Sequence, residues 1–71
     1  MPKVVRIQIS HKTKPMWAIE YDNGKKHGEY RDSDGFVRFQ AWDRKTSAVR
    51  VLNLIKSGAI IELFDPNQNH D

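Results

Sequence analysis

Residues 35–42 read GFVRFQAW, and this stretch predicts a β-strand with two chemically different faces. Every second side chain is Val37, Phe39 or Ala41, all of which are apolar and suit a core. Period-two alternation of this kind is typical of a strand that buries one face. The other face carries two aromatic rings, an arginine and a glutamine: Phe36, Arg38, Gln40 and Trp42. Because that face is not simply polar, we expect it to contact a partner.

Two strands and a hairpin are predicted before this stretch. Val4 to Ser10 and Met16 to Asp22 alternate apolar and polar side chains, which indicates strands. Asn23-Gly24 predicts a type I′ hairpin turn, because these residue types tolerate the positive φ that the turn needs. Lys26 to Arg31 is expected to return as a third, weaker strand, since Gly28 lowers strand preference.

A helix and a closing strand are predicted after it. Asp43 is expected to cap a helix over residues 44–57 and Gly58 to end it. Residues 59–64, AIIELF, predict a last strand, within a single domain of residues 1–66 that is followed by a frayed polar tail at residues 67–71.

The predicted fold class is α+β, with an antiparallel sheet of four to five strands and one helix packed on one face. The order of elements is strand, hairpin, strand, helix, strand. The residues expected to build the core are Val5, Ile7, Ile9, Trp17, Ile19, Tyr21, Val37, Phe39, Ala48, Val51, Leu52 and Ile55.

Composition narrows the function classes open to a chain of 71 residues. The absence of cysteine excludes disulfides, thiolate metal sites and cysteine catalysis, and it fits a cytoplasmic setting. No apolar run approaches the ~20 residues of a membrane span, and we do not expect the N-terminus to be a signal peptide. Twelve Lys and Arg against nine Asp and Glu leave a net charge of +3, which suits nucleic acid or an acidic protein without requiring either.

No residue set indicates catalysis, a cofactor or a metal. His11, His27 and His70 are scattered, and we interpret His11 and His27 as surface residues. Residues 32–35, DSDG, begin like a calcium loop but lack its later oxygen ligands, so a plain turn is expected. No general base stands beside a nucleophile in any recognisable pattern, which favours a non-enzymatic protein.

The face of the sheet that the helix leaves open forms the candidate interface. Arginine and glutamine bond to base edges, aromatic rings stack on bases, and a basic helix start binds phosphates. The candidate nucleic-acid or partner-binding residues are Arg6, Gln8, Lys25, Lys26, Phe36, Arg38, Gln40, Trp42, Arg44 and Lys45. In a purely structural alternative, Phe36 and Trp42 complete the core and Glu20 pairs with Arg38 across the strands.

The order of elements resembles a known DNA-binding plan. The run from Trp17, WAIEYDNGKKHGEY, then GFVRFQAW and the helix opening RKTSAVRVLNLI, resembles the three-stranded sheet plus helix of the arm-binding domains of tyrosine recombinases. Ethylene-response-factor-type domains share this plan, in which a sheet face enters the DNA major groove. The resemblance implies base contacts by Arg38, Gln40 and Trp42 and backbone contacts by the hairpin residues Lys25 and Lys26. The chain departs from the plan in its first and last predicted strands and in the insert at residues 31–35.

The leading expectation is a small cytoplasmic binding protein, of the kind that phages and mobile elements encode, that contacts nucleic acid through the open sheet face. One alternative is a protein-interaction module that uses the same face or the edge strand Val4 to Ser10. Another is a homodimer centred on Phe36 and Trp42, since aromatic residues are enriched at interfaces.

Overall fold

The computed structural model describes residues 1–9 and 13–60, which form a small α+β unit. Its elements are β1 (Lys3–Ile7), β2 (Met16–Glu20), β3 (Tyr30–Arg31), β4 (Val37–Arg38) and α1 (Lys45–Lys56). The α+β class is confirmed. Within residues 1–9 and 13–60 the four strands form two antiparallel pairs, β1 with β2 and β3 with β4, instead of the expected single sheet of four to five strands.

β2 is the central strand of the packed sheet. On one side it pairs with β1, in a register that sets Val4 opposite Ile19 and Arg6 opposite Trp17. On its other side, Trp17 exchanges two backbone hydrogen bonds with Trp42 (2.9 and 2.8 Å). Residues outside the named strands therefore extend the sheet beyond β2.

The core cluster consists of Ile19, Tyr21, Leu52 and Ile55, and it joins β2 and the residue after it to α1. The buried apolar residues among those described are Ala18, Ile19, Tyr21, Ala48, Leu52 and Ile55. Half-buried side chains pack against the cluster, namely Val4, Trp42, Val51 and Ile60. The α1 members recur at the one-face spacing that the sequence predicts.

The register of β1 reverses the face that its alternation was expected to bury. Directly opposite residues in an antiparallel pair share a face of the sheet. Val4 lies opposite the fully buried Ile19, so Val4 and Arg6 lie on the helix side. The prediction that Val5 and Ile7 face the core while Arg6 faces away is wrong, since a shift of one residue exchanges the two faces of a strand.

The GFVRFQAW stretch departs from its prediction in length and in phase. Only Val37–Arg38 forms a strand. Val37, expected in the core, is 43% exposed, whereas Trp42, expected on the open face, packs against the core cluster. The physical reason is that β3 and β4 project outward: their Cα atoms lie more than 8 Å from those of β1, β2 and α1.

Two turns in the chain have the same hydrogen-bond geometry. In Tyr21–Lys25 and in Asp32–Phe36, the amide of the first residue donates to the carbonyl of the last (2.8 and 2.9 Å). The third loop residue is Gly24 in one and Gly35 in the other, with φ of 87° and 88°. Both are three-residue hairpin loops closed by a left-handed glycine, so the expected two-residue type I′ turn at Asn23-Gly24 is not formed.

Gly28 interrupts the predicted third strand. Lys26 pairs with Glu20, but the Glu29 amide then bonds back to the Lys26 carbonyl (3.0 Å) in a turn where Gly28 has a φ of 78°. The strand resumes only at Tyr30–Arg31. Gly28, whose low strand preference makes this the weaker predicted strand, is thus the residue at which the strand is interrupted.

Helix α1 agrees with the predicted span to within one residue at each end. Its N-cap position is Arg44 rather than Asp43, and no side chain caps it. At the C-terminus, the amides of Gly58 and Ala59 donate to the carbonyls of Ile55 (3.1 Å) and Leu54 (2.9 Å). This is a Schellman motif with Gly58 at its left-handed position.

Residues 59 and 60, the first two residues of the predicted last strand, lie instead in the turn that ends the helix. The rest of it, residues 61–64, and the tail at residues 67–71 lie outside the described residues. Within the described part, no helix is long and apolar enough to cross a membrane.

His27, expected at the surface, is buried with 4% of its surface exposed. A hydrogen bond of 2.6 Å joins its Nδ1 to the Tyr21 hydroxyl, which places the imidazole against the core cluster. Burial lowers the pKa of His27 below its ordinary value, because removal from water disfavours the charged form. His27 is therefore a neutral, hydrogen-bonded part of the interior.

The packing predicts different results for one substitution made at two strand positions. Val4→Ala removes methyl groups that contact the core, whereas Val37→Ala removes the same groups from an exposed position. We expect Val4→Ala to lower the free energy of unfolding by about 1–2 kcal/mol more than Val37→Ala. Urea unfolding followed by circular dichroism measures both, and the identical substitution keeps the change in side-chain volume the same. Equal losses would contradict the observed register.

The burial of His27 predicts a loss of stability in mild acid. The stabilisation by neutral His27 is fully present above a pH of about 6.5 and declines as the pH falls below it, because the unfolded chain takes up a proton that the folded chain does not. Urea midpoints from pH 8 to pH 5.5 are expected to fall more steeply for the native sequence than for His27→Gln, which keeps the other two histidines. Parallel curves would show that His27 titrates alike in both states.

Candidate nucleic-acid interface

Three side chains from neighbouring segments form a row across the helix side of the sheet. Arg6 lies opposite Trp17 in the β1–β2 register, and Trp17 pairs with Trp42 on the other side. Since Trp17 is two residues from the buried Ile19 on the same strand, the whole row shares the face that α1 covers. The row lies one step beyond the core cluster along the strands.

A groove of about 460 Å³ lies at one end of this row. Its lining residues are Val4, Arg6, Pro15, Trp17 and Lys45. β1, β2, the residue before β2 and the first residue of α1 all contribute, so the groove exists only in the folded chain. Three of its side chains are apolar and two are basic, and none is acidic.

Several of the predicted basic residues are bound to carboxylates elsewhere in the molecule. The ion pairs are Lys25–Glu29 (4.0 Å), Lys26–Glu20 (3.5 Å) and Arg38–Asp32 (2.8 Å). The Lys26 ammonium also lies 5.5 Å from the centre of the Phe39 ring. The charges of these cations are therefore already neutralised by carboxylates. Glu20 pairs with two lysines, so the Glu20–Arg38 pair expected in the structural alternative is not formed.

The two cations of the groove are uncompensated. Among residues 1–9 and 13–60, neither Arg6 nor Lys45 has an ion pair or a side-chain hydrogen bond, and both side chains are exposed. Positive charge in a recess without a carboxylate attracts anions. The groove therefore brings together two of the predicted basic residues whose charge no carboxylate of the described chain neutralises.

The start of α1 adds to the positive potential beside the groove. The Arg44 backbone is extended (φ −118°, ψ 135°), no side chain caps the helix, and the first turn has no acidic residue. The amino end of a helix carries a partial positive charge, so cations at Arg44 and Lys45 are unfavourable there. A local conflict of this type is expected where a bound anion resolves it.

Phe36 and Arg38 lie on the projecting β3–β4 hairpin, apart from the groove. The Asp32 carboxylate organises this hairpin, since it accepts hydrogen bonds from Arg38 Nε (2.8 Å) and from the amides of Asp34 (2.9 Å) and Phe36 (3.0 Å). The hydrogen bond from Arg38 is the chief cause that lowers the pKa of Asp32. Arg38 is thus part of the hairpin's internal structure.

The same hairpin exposes apolar side chains. Phe36 is 64% exposed and Tyr30, which lies opposite Arg38, is 50% exposed. The turn at its tip is formed as expected for residues 32–35.

No group of three or more His, Asp or Glu side chains among the described residues is arranged to hold a metal ion.

The remaining predicted residues have other positions. Gln8 follows β1 and is exposed. The backbone amide of Gln40 donates to the backbone carbonyl of His27 (3.1 Å). The Gln40 side chain packs closely over Gly28, where an added Cβ would lie 3.0 Å from Gln40 Cγ. The structure therefore divides the predicted interface among the groove, the hairpin and the edge of the sheet.

The alternating pattern of the sequence predicts Trp17 in the core, and no pattern predicts a role for Pro15. The missing signal is the β1–β2 register, because only the register sets Trp17 beside Arg6. The long connection between the two strands does not specify that register, unlike a tight turn, which does.

No protein-family model, curated protein or solved structure matches this chain. The resemblance to the arm-binding domains of tyrosine recombinases accordingly stays a prediction.

The charge conflict at the start of α1 predicts opposite effects for one substitution at the two ends of the helix. Lys45→Glu replaces an unfavourable cation with a favourable anion and is expected to raise the free energy of unfolding by about 0.3–1 kcal/mol. Lys56→Glu makes the same change in net charge at the C-terminal end and is expected to lower it by a similar amount. Thermal unfolding at low and high salt measures both effects and their screening. A change of the same sign at both ends would contradict the proposed conflict.

Proposed function

We propose that this chain is a small, non-enzymatic, cytoplasmic protein that binds nucleic acid through the groove formed by Val4, Arg6, Pro15, Trp17 and Lys45. The observation that carries the proposal is the convergence of two uncompensated cations with an indole ring in one recess. Nucleic acid offers the two matching groups, a phosphate and an aromatic base, close together in every nucleotide.

The electrostatic part of binding comes from Arg6, Lys45 and the adjacent Arg44. Phosphate contacts by Arg and Lys release counterions from the nucleic acid, which makes binding strongly dependent on salt. The amino end of α1 adds backbone donors to this surface, as helix starts do for phosphates in many proteins. These contacts position the ligand but do not read its sequence.

The aromatic part comes from Trp17. Its ring is half-buried, and its strand is fixed on both sides by β1 and by Trp42. The backbone that carries the ring is therefore fixed, and an aromatic ring of this kind is a platform on which a base stacks. The surface differs from the expected open sheet face, because the residues that retain free charge lie on the helix side.

Binding to labelled mixed-sequence oligonucleotides, duplex and single-stranded, tests this proposal by fluorescence anisotropy at 50 mM and 200 mM salt. The double variant Arg6→Ala/Lys45→Ala is expected to lose about tenfold or more in affinity and to show a salt slope shallower by roughly 1 to 2. The matched control is Arg50→Ala/Lys56→Ala, which removes one arginine and one lysine from exposed helix positions outside the groove. Equal losses in both double variants would exclude the groove, and no binding at low salt would exclude nucleic acid as the ligand.

The exposed hairpin supports a second candidate, a protein-binding module. Tyr30 and Phe36 present apolar surface on one face of a projecting element whose loop Asp32 has already ordered. Ordered aromatic side chains are common at the centres of protein interfaces. A partner protein or a second copy of the chain would use this surface.

Phe36→Ala separates the two candidates. It removes the most exposed ring of the hairpin and leaves the groove intact, so nucleic-acid affinity is expected to change less than twofold. Sedimentation velocity of the native chain and of Phe36→Ala shows whether the hairpin mediates self-association. A loss of nucleic-acid binding in Phe36→Ala would move the proposed site from the groove to the hairpin.

A further inference from the structure

The groove is open to solvent and of limited size. Its volume of about 460 Å³ falls in the range of clefts that take a single small ligand, roughly 300–1,000 Å³. A duplex is convex and keeps its base edges within its own grooves, so it is read by helices or ribbons that protrude from a protein. A recess of this size suits one unit of a ligand that can enter it.

The lining of the groove is divided by chemistry. Val4, Pro15 and Trp17 supply an apolar side with one large ring, whereas Arg6 and Lys45 supply two cations. An aromatic ring and cations that contact one ligand require a planar apolar group and an anionic group in the same unit. A nucleotide combines both.

The register sets the spacing between these two parts. Arg6 lies directly opposite Trp17, so their Cβ atoms are roughly 5 Å apart. A base that rests on the Trp17 ring then has its own phosphate within reach of Arg6, and Lys45, the first residue of α1, lines the same groove. A base that is stacked and paired within a duplex cannot lie on the Trp17 ring. A duplex therefore cannot contact the ring and the cations of the groove through one nucleotide.

We propose that the groove binds a nucleotide unit whose base is unpaired, with the base against Trp17 and the phosphate between Arg6 and Lys45. This inference rests on the proposed function and specifies its ligand. An unpaired nucleotide occurs in single-stranded nucleic acid and as a free nucleotide, and the two sources share the chemistry that the groove recognises.

The first arm of the test compares three probes by fluorescence anisotropy and by quenching of intrinsic tryptophan emission. They are a labelled twelve-residue oligothymidine, a DNA hairpin duplex of the same length, and thymidine monophosphate. We expect the single strand to bind at least tenfold more tightly than the duplex. Binding of the monophosphate would identify free nucleotides as a sufficient ligand, whereas binding of the oligomer alone would identify a strand, and both results support an unpaired base.

The second arm tests the ring. Trp17→Leu keeps an apolar side chain of large volume without an aromatic face, and it is expected to weaken single-strand binding by about tenfold to a hundredfold. Trp17→Phe keeps a ring and is expected to retain most of the affinity. Tyr30→Ala removes an exposed ring from the hairpin and serves as the control that leaves binding unchanged. Circular dichroism establishes that each variant is folded before it is compared.

The outcomes separate this inference from the proposed function. Binding of the duplex as tightly as the single strand would overturn the unpaired-base inference and leave nucleic-acid binding standing. Single-strand binding that Trp17→Leu does not weaken would also overturn it. Failure of all three probes to bind would overturn both.

Discussion

The backbone pairing of Trp17 with Trp42 positions helix α1 against the β1–β2 sheet. Two backbone hydrogen bonds join residues that are far apart in the chain, and they return the chain to the edge of β2 just before α1 begins. The start of the helix is therefore held beside the end of β2. The core cluster under α1 and the groove at its amino end both follow from that placement.

The same region shows where stability and binding conflict. A helix of 12 residues with no side-chain cap and with cations in its first turn is weaker than the chain could make it, because an acidic or hydroxyl side chain at the N-cap position is favourable. Its C-terminal end has no such defect, since Gly58 forms a complete Schellman motif. The weakness is confined to the end that borders the groove, where an anion would compensate for it.

The small interior provides only modest stabilisation against this charge conflict. A domain of this size buries only about 60% of the surface that its unfolded chain exposes, and its core cluster consists of a few side chains from β2 and α1. One of the buried groups is an imidazole, which is tolerated because the Tyr21 hydroxyl bonds to it and because it remains uncharged. The β3–β4 hairpin contributes almost nothing to this core and instead orders itself through Asp32, so its exposed rings are available for contact.

Features that depend on local chemistry can be predicted from the amino-acid sequence. The α+β class, the span of α1 to within one residue at each end, the first two strands and the glycine turns all arise from periodicity and from backbone preferences within a few residues. Four other features follow from the packing of the folded chain. They are the inward face of β1, the position of Trp42 on the core side, the burial of His27, and the groove shared by Arg6, Trp17 and Lys45. The reason is that a period of two defines two faces without stating which one is buried. That choice comes from the register between strands and from where the helix packs, and both depend on residues distant in the chain.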